Sequence, residues 1–198
     1  MNMEGEDARY LGTWDLIVVK DPDSDWTNWG MYRARIHNKN LLGIALHIAN
    51  DGGFIYYRKY EQIKKPMPIA IVVGVDPLCN VAAIAPFRIG ESEVDFAGGF
   101  RREPVPLVKC ETSDILVPAN AEIVVEGEML PGVAIPHNPF GEFAGYMAPP
   151  GDYPACRVKA ITFRKDPVFT VAHPGTPVYD GSICSCMTLA ISHKRHLK

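Results

Sequence analysis

The sequence predicts an α+β domain, mainly antiparallel β, closed into a barrel that removes its strand edges. Three observations carry this reading. Short apolar or β-branched runs dominate the chain, and Pro, Gly, Asp or Asn bounds most of them, which is the pattern of strands separated by turns. Few segments show helical spacing. No repeat, low-complexity tract or linker interrupts the pattern, so one domain is expected over residues 1–198. A chain of that length with 47% hydrophobic residues can bury a sizeable core.

The elements follow in order. Residues 14–19 read as the first strand. Phe54, Tyr57, Tyr60 and Ile63 recur at about helical spacing until Pro66 stops the run. Strands are expected at 69–75 and 81–85. A second helix starts at Ser92, with Asp95 three residues on as a weak capping box and Phe96 and Phe100 on one face. Residues 105–109, 122–125 and 158–163 read as further strands. Residues 183–198 form a partly apolar helix ending in His193, Lys194, Arg195 and His196. Basic residues suit a helix C-terminus, and this run is expected to be a solvated end.

Composition excludes several classes. A formal charge of −3 gives no reason to expect nucleic acid or an anionic membrane as partner. No apolar run approaches the ~20 residues of a membrane span. The first nine residues are polar and acidic, unlike a signal peptide. Cys79, Cys110, Cys156, Cys184 and Cys186 are odd in number and lack the spacing of a disulfide framework. A cytoplasmic setting fits best. Cys184 and Cys186 could pair on a metal or in redox chemistry, but two thiols in a mixed segment is the plainer reading.

Four clusters could carry chemistry. His137 and Glu142 lie five residues apart around Pro139, Phe140 and Gly141. Loops with such fixed or permissive backbone often carry function, although an ordinary turn explains the spacing equally well. Arg33 and Arg35 follow two tryptophans and share a face if the segment is extended. A guanidinium matches a carboxylate or phosphate in two-point geometry. Asn28, between those tryptophans, offers a carbonyl oxygen to a hard cation. A Trp-rich core strand is the alternative. Glu93 falls in the first turn of the Ser92 helix, where the helix dipole alone explains a carboxylate. His47 precedes the turn Asn50-Asp51-Gly52-Gly53, and a lone His of this sort is more often structural. Glu122 and Glu126 fall on one side of a strand and are expected to face solvent.

Together these segments resemble the UbiD-type decarboxylases. Four pieces stand in that family's order: 26–33, 90–98 with Glu93, 108–127, and 139–146. The resemblance covers roughly residues 10–180. It implies a split β-barrel akin to flavin reductases, binding prenylated FMN through Mn²⁺ or Mg²⁺, often with K⁺ nearby. The family's metal ligands, an Asn, a His and a Glu, correspond to Asn28, His47 and Glu93, with Asn50 a competing placement for the His. Asn28, Met31, Arg33, Leu46 and His47 would line the cofactor. The catalytic Arg corresponds to Arg33 and the second catalytic acid to Glu142. His137 stands where the family has its first acid, and an imidazole there can donate or accept protons near neutral pH. The implied reaction is reversible, non-oxidative decarboxylation of a small aromatic or α,β-unsaturated acid. Family enzymes are usually more than twice as long. The chain therefore corresponds to the cofactor domain without the flanking N- and C-terminal domains, expected as a homo-oligomer or beside a partner subunit.

Overall fold

The computed structural model describes residues 9–11, 14–141, 147–172 and 180–196. In chain order the elements are β1 (Arg9–Leu11), β2 (Asp15–Lys20), β3 (Thr27–Gly30), β4 (Ala34–Asn38), β5 (Leu41–Ile44) and α1 (Asp51–Ile55), which runs into a π-helical turn at Tyr56–Tyr60. Then come β6 (Met67–Val73), α2 (Pro77–Ile84), α3 (Glu93–Arg101), β7 (Leu107–Lys109), β8 (Leu116–Pro118) and β9 (Ile123–His137). The last are β10 (Phe140–Gly141), β11 (Met147–Ala148), β12 (Gly151–Phe163) and α4 (Asp180–His196).

Eight strands form one antiparallel sheet in the order β1-β4-β5-β12-β9-β6-β2-β3. Alternation along β2 and β6 explains their unbroken apolar runs. Ile17, Val19, Ile69 and Ile71 point into one core, which also takes in Tyr32, Ile44, Leu46, Tyr56 and Met129. Leu16, Val18, Ala70 and Val72 point into a second core with Cys79 and Ala82 of α2, Ala97 of α3, and Ile115 and Val117 beside the β7–β8 hairpin. Both faces of these strands are therefore buried, and each stays apolar.

The architecture matches the expected α+β class, and the mainly antiparallel sheet is consistent with a split barrel. Closure is not complete: the hydrogen-bonded order starts at β1 and ends at β3, so both edges persist among the described residues. The expected strand at 81–85 is instead the end of α2. A short apolar run fits either state, and here Asp76 decides it, capping the helix by accepting from the Leu78 amide with Pro77 in the first turn. The strands expected at 122–125 and 158–163 are parts of β9 and β12, which run 15 and 13 residues. The Ser92 helix is present, with the Ser92 hydroxyl accepting from the Asp95 amide at 3.1 Å.

Glu126 corrects another expectation. It is 2% exposed rather than solvent-facing. Its carboxylate accepts from the Glu111 amide (2.9 Å), the Thr112 amide (2.7 Å) and the Thr112 hydroxyl (2.7 Å), tying the β7–β8 hairpin to β9. A buried carboxylate persists only when its lone pairs are satisfied in this way.

Candidate functional site

Two groups of polar side chains flank the connection from β3 to β4. The first is built on β3. Asn28 and Glu93 are 3% and 2% exposed. Asn28 Nδ2 donates to Glu93 Oε1 at 3.0 Å, and the Trp29 amide donates to Glu93 Oε2 at 3.2 Å. Tyr32 donates its hydroxyl proton to Asn28 Oδ1 at 2.9 Å and accepts from the Gly52 amide at 3.1 Å. The Tyr32 ring explains two glycines: a Cβ on Gly30 or Gly52 would lie 2.3 Å or 2.7 Å from its atoms. Burial pushes the Glu93 carboxyl up to about 7, against the lowering effect of its hydrogen bonds. Glu93 thus does more than suit a helix dipole, since it reaches across to a strand 64 residues away.

The donor chemistry of this pair fits a hard divalent ion, one amide oxygen and one carboxylate. The contacts that hold the pair do not include His47. That ring is exposed and lies edge-on to Tyr153, centroids 6.3 Å apart. Asn50 is engaged elsewhere, its Oδ1 accepting from the Gly53 amide as the N-cap of α1. Among the described residues no group of three or more His, Cys, Asp and Glu could hold a metal. Met31 is half-buried. Leu46 is 3% exposed with its side chain in the core, while its carbonyl accepts from the Tyr57 hydroxyl.

The second group gathers Arg33, Arg35 and His137. Strand register brings them together: Tyr10 of β1 stands opposite Arg35 of β4, and the β9–β12 ladder pairs His137 with Gly151 and Ile135 with Tyr153. Arg33 Nη2 donates to the Tyr153 hydroxyl at 3.0 Å, and its guanidinium lies 4.4 Å above the Phe140 ring. Arg35 Nη1 donates to the Pro136 carbonyl at 2.6 Å. Both arginines therefore face the end of β9, as an extended segment predicts. His137 is 2% exposed, packs on the Tyr153 ring at 3.9 Å, and meets the Tyr10 hydroxyl through Nε2 at 3.0 Å. Among the described residues its Nδ1 is left without a hydrogen-bond partner.

Burial, and after it the charges of Arg33 and Arg35, push the His137 imidazole down to about 4. The expectation that it titrates near neutral pH is thereby corrected: a cation is disfavoured in a buried place already next to two guanidinium groups. Glu142 lies outside the described residues, as do the other residues of 142–146. Sequence reasoning missed Tyr10, Tyr32 and Tyr153, and gave Phe140 no role beyond its turn. Tyr10 and Tyr153 join the site through pairings far apart in sequence, whereas Tyr32 meets Asn28 four residues away and Phe140 sits in the turn already singled out.

One mainly antiparallel sheet thus carries both the buried Asn–Glu pair and the Arg–His group. The UbiD profile, described as the 3-octaprenyl-4-hydroxybenzoate carboxy-lyase Rift-related domain, matches residues 1–177, and the chain belongs to this family. Among solved structures, an evolved dimeric form of the UbiD-class enzyme HmfF from Pelotomaculum thermopropionicum, in complex with prFMN, is 36% identical with a TM-score of 0.80, over 85% of this chain and 39% of that one. The vanillic acid decarboxylase ShVdcCD of Sedimentibacter hydroxybenzoicus, in closed form, is 29% identical with a TM-score of 0.87, over 92% and 39%. Nitrilotriacetate monooxygenase component B from Bacillus cereus shares the fold alone, at 14% identity and a TM-score of 0.50, over 76% and 69%. The chain spans 36% and 34% of the length of two uncharacterized relatives, from Archaeoglobus fulgidus and a Synechocystis strain, that it matches at 36% identity.

Proposed function

We propose that this chain is the cofactor domain of a prenylated-FMN-dependent decarboxylase, acting on an aromatic or α,β-unsaturated carboxylic acid within a larger assembly. Family membership carries the reading. The prFMN seen with HmfF and the decarboxylase activity named for ShVdcCD support it by likeness. When bound, the cofactor supplies an electron sink for the carbon that loses CO₂. Asn28 and Glu93 would hold the divalent ion that anchors it, and Met31, Leu46 and His47 would line it. The imidazole ligand is assigned to His47 over Asn50, because Asn50 already caps α1.

The chain's own residues take distinct parts. Arg33 binds and orients the substrate carboxylate, its two-point fork being the natural partner for that group. Glu142 carries the proton exchanged at the substrate carbon. His137 would orient Glu142 or relay its proton.

Co-expression with a flavin prenyltransferase tests the reading. The expected result is a protein that retains flavin and divalent metal, shows the modified-flavin absorption, and decarboxylates or exchanges hydrogen for deuterium on an aromatic acid. A second reading is a non-catalytic flavin- and metal-binding module. Bound flavin without turnover, even with every co-purifying subunit present, selects it. A protein that retains no flavin at all overturns both.

A further inference from the structure

Tyr32 takes no part in the chemistry assigned above, yet it decides which atom Asn28 turns toward Glu93. Asn28 Nδ2 donates to Glu93 Oε1 at 3.0 Å and to the Trp29 carbonyl at 3.2 Å. Asn28 Oδ1 is turned instead to the Tyr32 hydroxyl and accepts from it at 2.9 Å. That hydroxyl accepts in turn from the Gly52 amide at 3.1 Å, which leaves its one proton for Asn28. The ring behind it is 8% exposed, and it lies so close over Gly30 and Gly52 that a Cβ on either would fall 2.3 Å or 2.7 Å from its atoms. Three partners therefore hold the amide in one orientation. A cation shared by Asn28 and Glu93 needs the amide oxygen on the Glu93 side, because an N–H cannot coordinate. We propose that Tyr32 is a positioning residue that latches this site: it holds the Asn28 oxygen away from Glu93, and a divalent ion is taken up only when Tyr32 lets go and the amide turns over. The purpose of the latch rests on the ion reading proposed above; the held orientation does not.

Hydrogen-bond chemistry fixes the orientation. The Trp29 carbonyl can only accept, and so can an ionised Glu93 carboxylate, so both call for the nitrogen. The Tyr32 hydroxyl could meet either atom, but meeting the nitrogen would leave its own proton without the acceptor it now has. Turning the amide thus breaks the Tyr32 bond and sets the oxygen against a carbonyl, in a buried place where unmade bonds are expensive. A cation on that side offsets the second cost by its charge, whereas the Tyr32 cost remains. Loss of the hydroxyl therefore favours uptake. The effect depends on residue 28 having two different atoms. An aspartate there presents oxygen on both sides, so it can keep the Tyr32 bond and still face Glu93 together with an ion.

The full-length chain, freed of metal, is titrated with Mn²⁺, and the unbound ion is counted by electron paramagnetic resonance. Tyr32→Phe keeps the ring and is expected to bind Mn²⁺ about fivefold tighter than the parent, the scale of one net hydrogen bond. An ordinary supporting partner of a metal ligand acts in the opposite sense, its loss weakening the metal about 10–100-fold. In an Asn28→Asp background, Tyr32→Phe is expected to bring no gain. Equal or weaker Mn²⁺ binding in Tyr32→Phe overturns the latch, and so does the same gain in both backgrounds. Hydrogen exchange of the Asn28 side-chain amide, followed by NMR and assigned by its loss in Asn28→Ala, reads the orientation without any ion and without the aspartate variant. Exchange is expected to be slow in the parent and faster in Tyr32→Phe. An amide that exchanges in the parent as fast as an exposed asparagine overturns the proposal, whether or not the chain binds metal or decarboxylates. A slow amide in a parent that binds no Mn²⁺, with none bound by Tyr32→Phe either, would uphold the held orientation and remove the ion reading together with the uptake it serves.

Discussion

Removing the Glu93 carboxylate separates two readings of that side chain. If it serves only the first turn of α3, Glu93→Ala leaves a helix still capped by Ser92. If it anchors a cation with Asn28, metal and flavin leave together. We expect Glu93→Ala and Asn28→Ala each to lose the divalent ion and the flavin, measured by elemental analysis and absorbance. Stoichiometric metal and flavin in Glu93→Ala would return the residue to a helix cap. A second prediction concerns Glu142. A proton donor in the transition state is worth ~10²–10⁴-fold, so Glu142→Gln is expected to lower decarboxylation by about that factor and leave flavin content unchanged. Undiminished decarboxylation and deuterium exchange in that variant would take Glu142 out of the mechanism. Arg33, Asn28, Glu93 and His137 were singled out in sequence through short segments that together stand in a known family's order. Tyr10 and Tyr153 were not, since their contacts bridge 127 and 120 residues and depend on strand register.

Asp15 shows what a single element can hide. It opens β2, is 0% exposed, and among the described residues neither carboxyl oxygen has a hydrogen-bond partner. Burial pushes its carboxyl up to about 8. The folded chain therefore holds this proton where the unfolded chain releases it, and stability falls as pH rises from the ordinary carboxylate range to about 8. Glu93, raised to about 7, adds to the fall below that pH in metal-free protein. His137, depressed to about 4, works in the opposite sense below its ordinary value near 6.5. Between pH 7 and 8 Asp15 acts alone of the three. The metal-free parent is expected to lose up to about 1.4 kcal/mol across that unit, read by urea denaturation, and Asp15→Asn to lose almost none. Equal slopes in the two proteins would show Asp15 already ionised in the fold. Sequence reading placed this strand correctly but not its first residue's environment, because the alternation that buries Ile17 and Val19 carries the carboxyl inward with them. The same limit turned α2 into an expected strand. Apolar content alone does not choose a period, and the Asp76–Pro77 start was the signal that did.

At the scale of the molecule, fold class and family were readable, whereas the sheet's open edges were not, because edges follow from which strands find partners. Besides the edges at β1 and β3, a further open stretch lies beyond the last β5 contact of β12. β12 pairs with β5 only over Ala155–Arg157, and among the described residues no strand covers the second side of 159–163. Ile161 and Phe163 there are 54% and 66% exposed, and Val168, Phe169 and Val171 follow at 61%, 47% and 62%. An apolar unpaired edge is a template for another chain. Lysine often blunts such an edge, but Lys159 is drawn toward Glu128, 3.6 Å away on β9. A second copy is the simplest cover, since antiparallel pairing of one edge with itself is two-fold symmetric and needs no new surface. The purified chain is accordingly expected to have a native mass of at least twice 21.9 kDa by light scattering. Phe163→Glu should shift it toward the monomer, and activity should fall with association. The edge would have no part in assembly if the parent were monomeric at working concentration. It would have none in catalysis if a monomeric Phe163→Glu protein turned over an aromatic acid as fast as its parent.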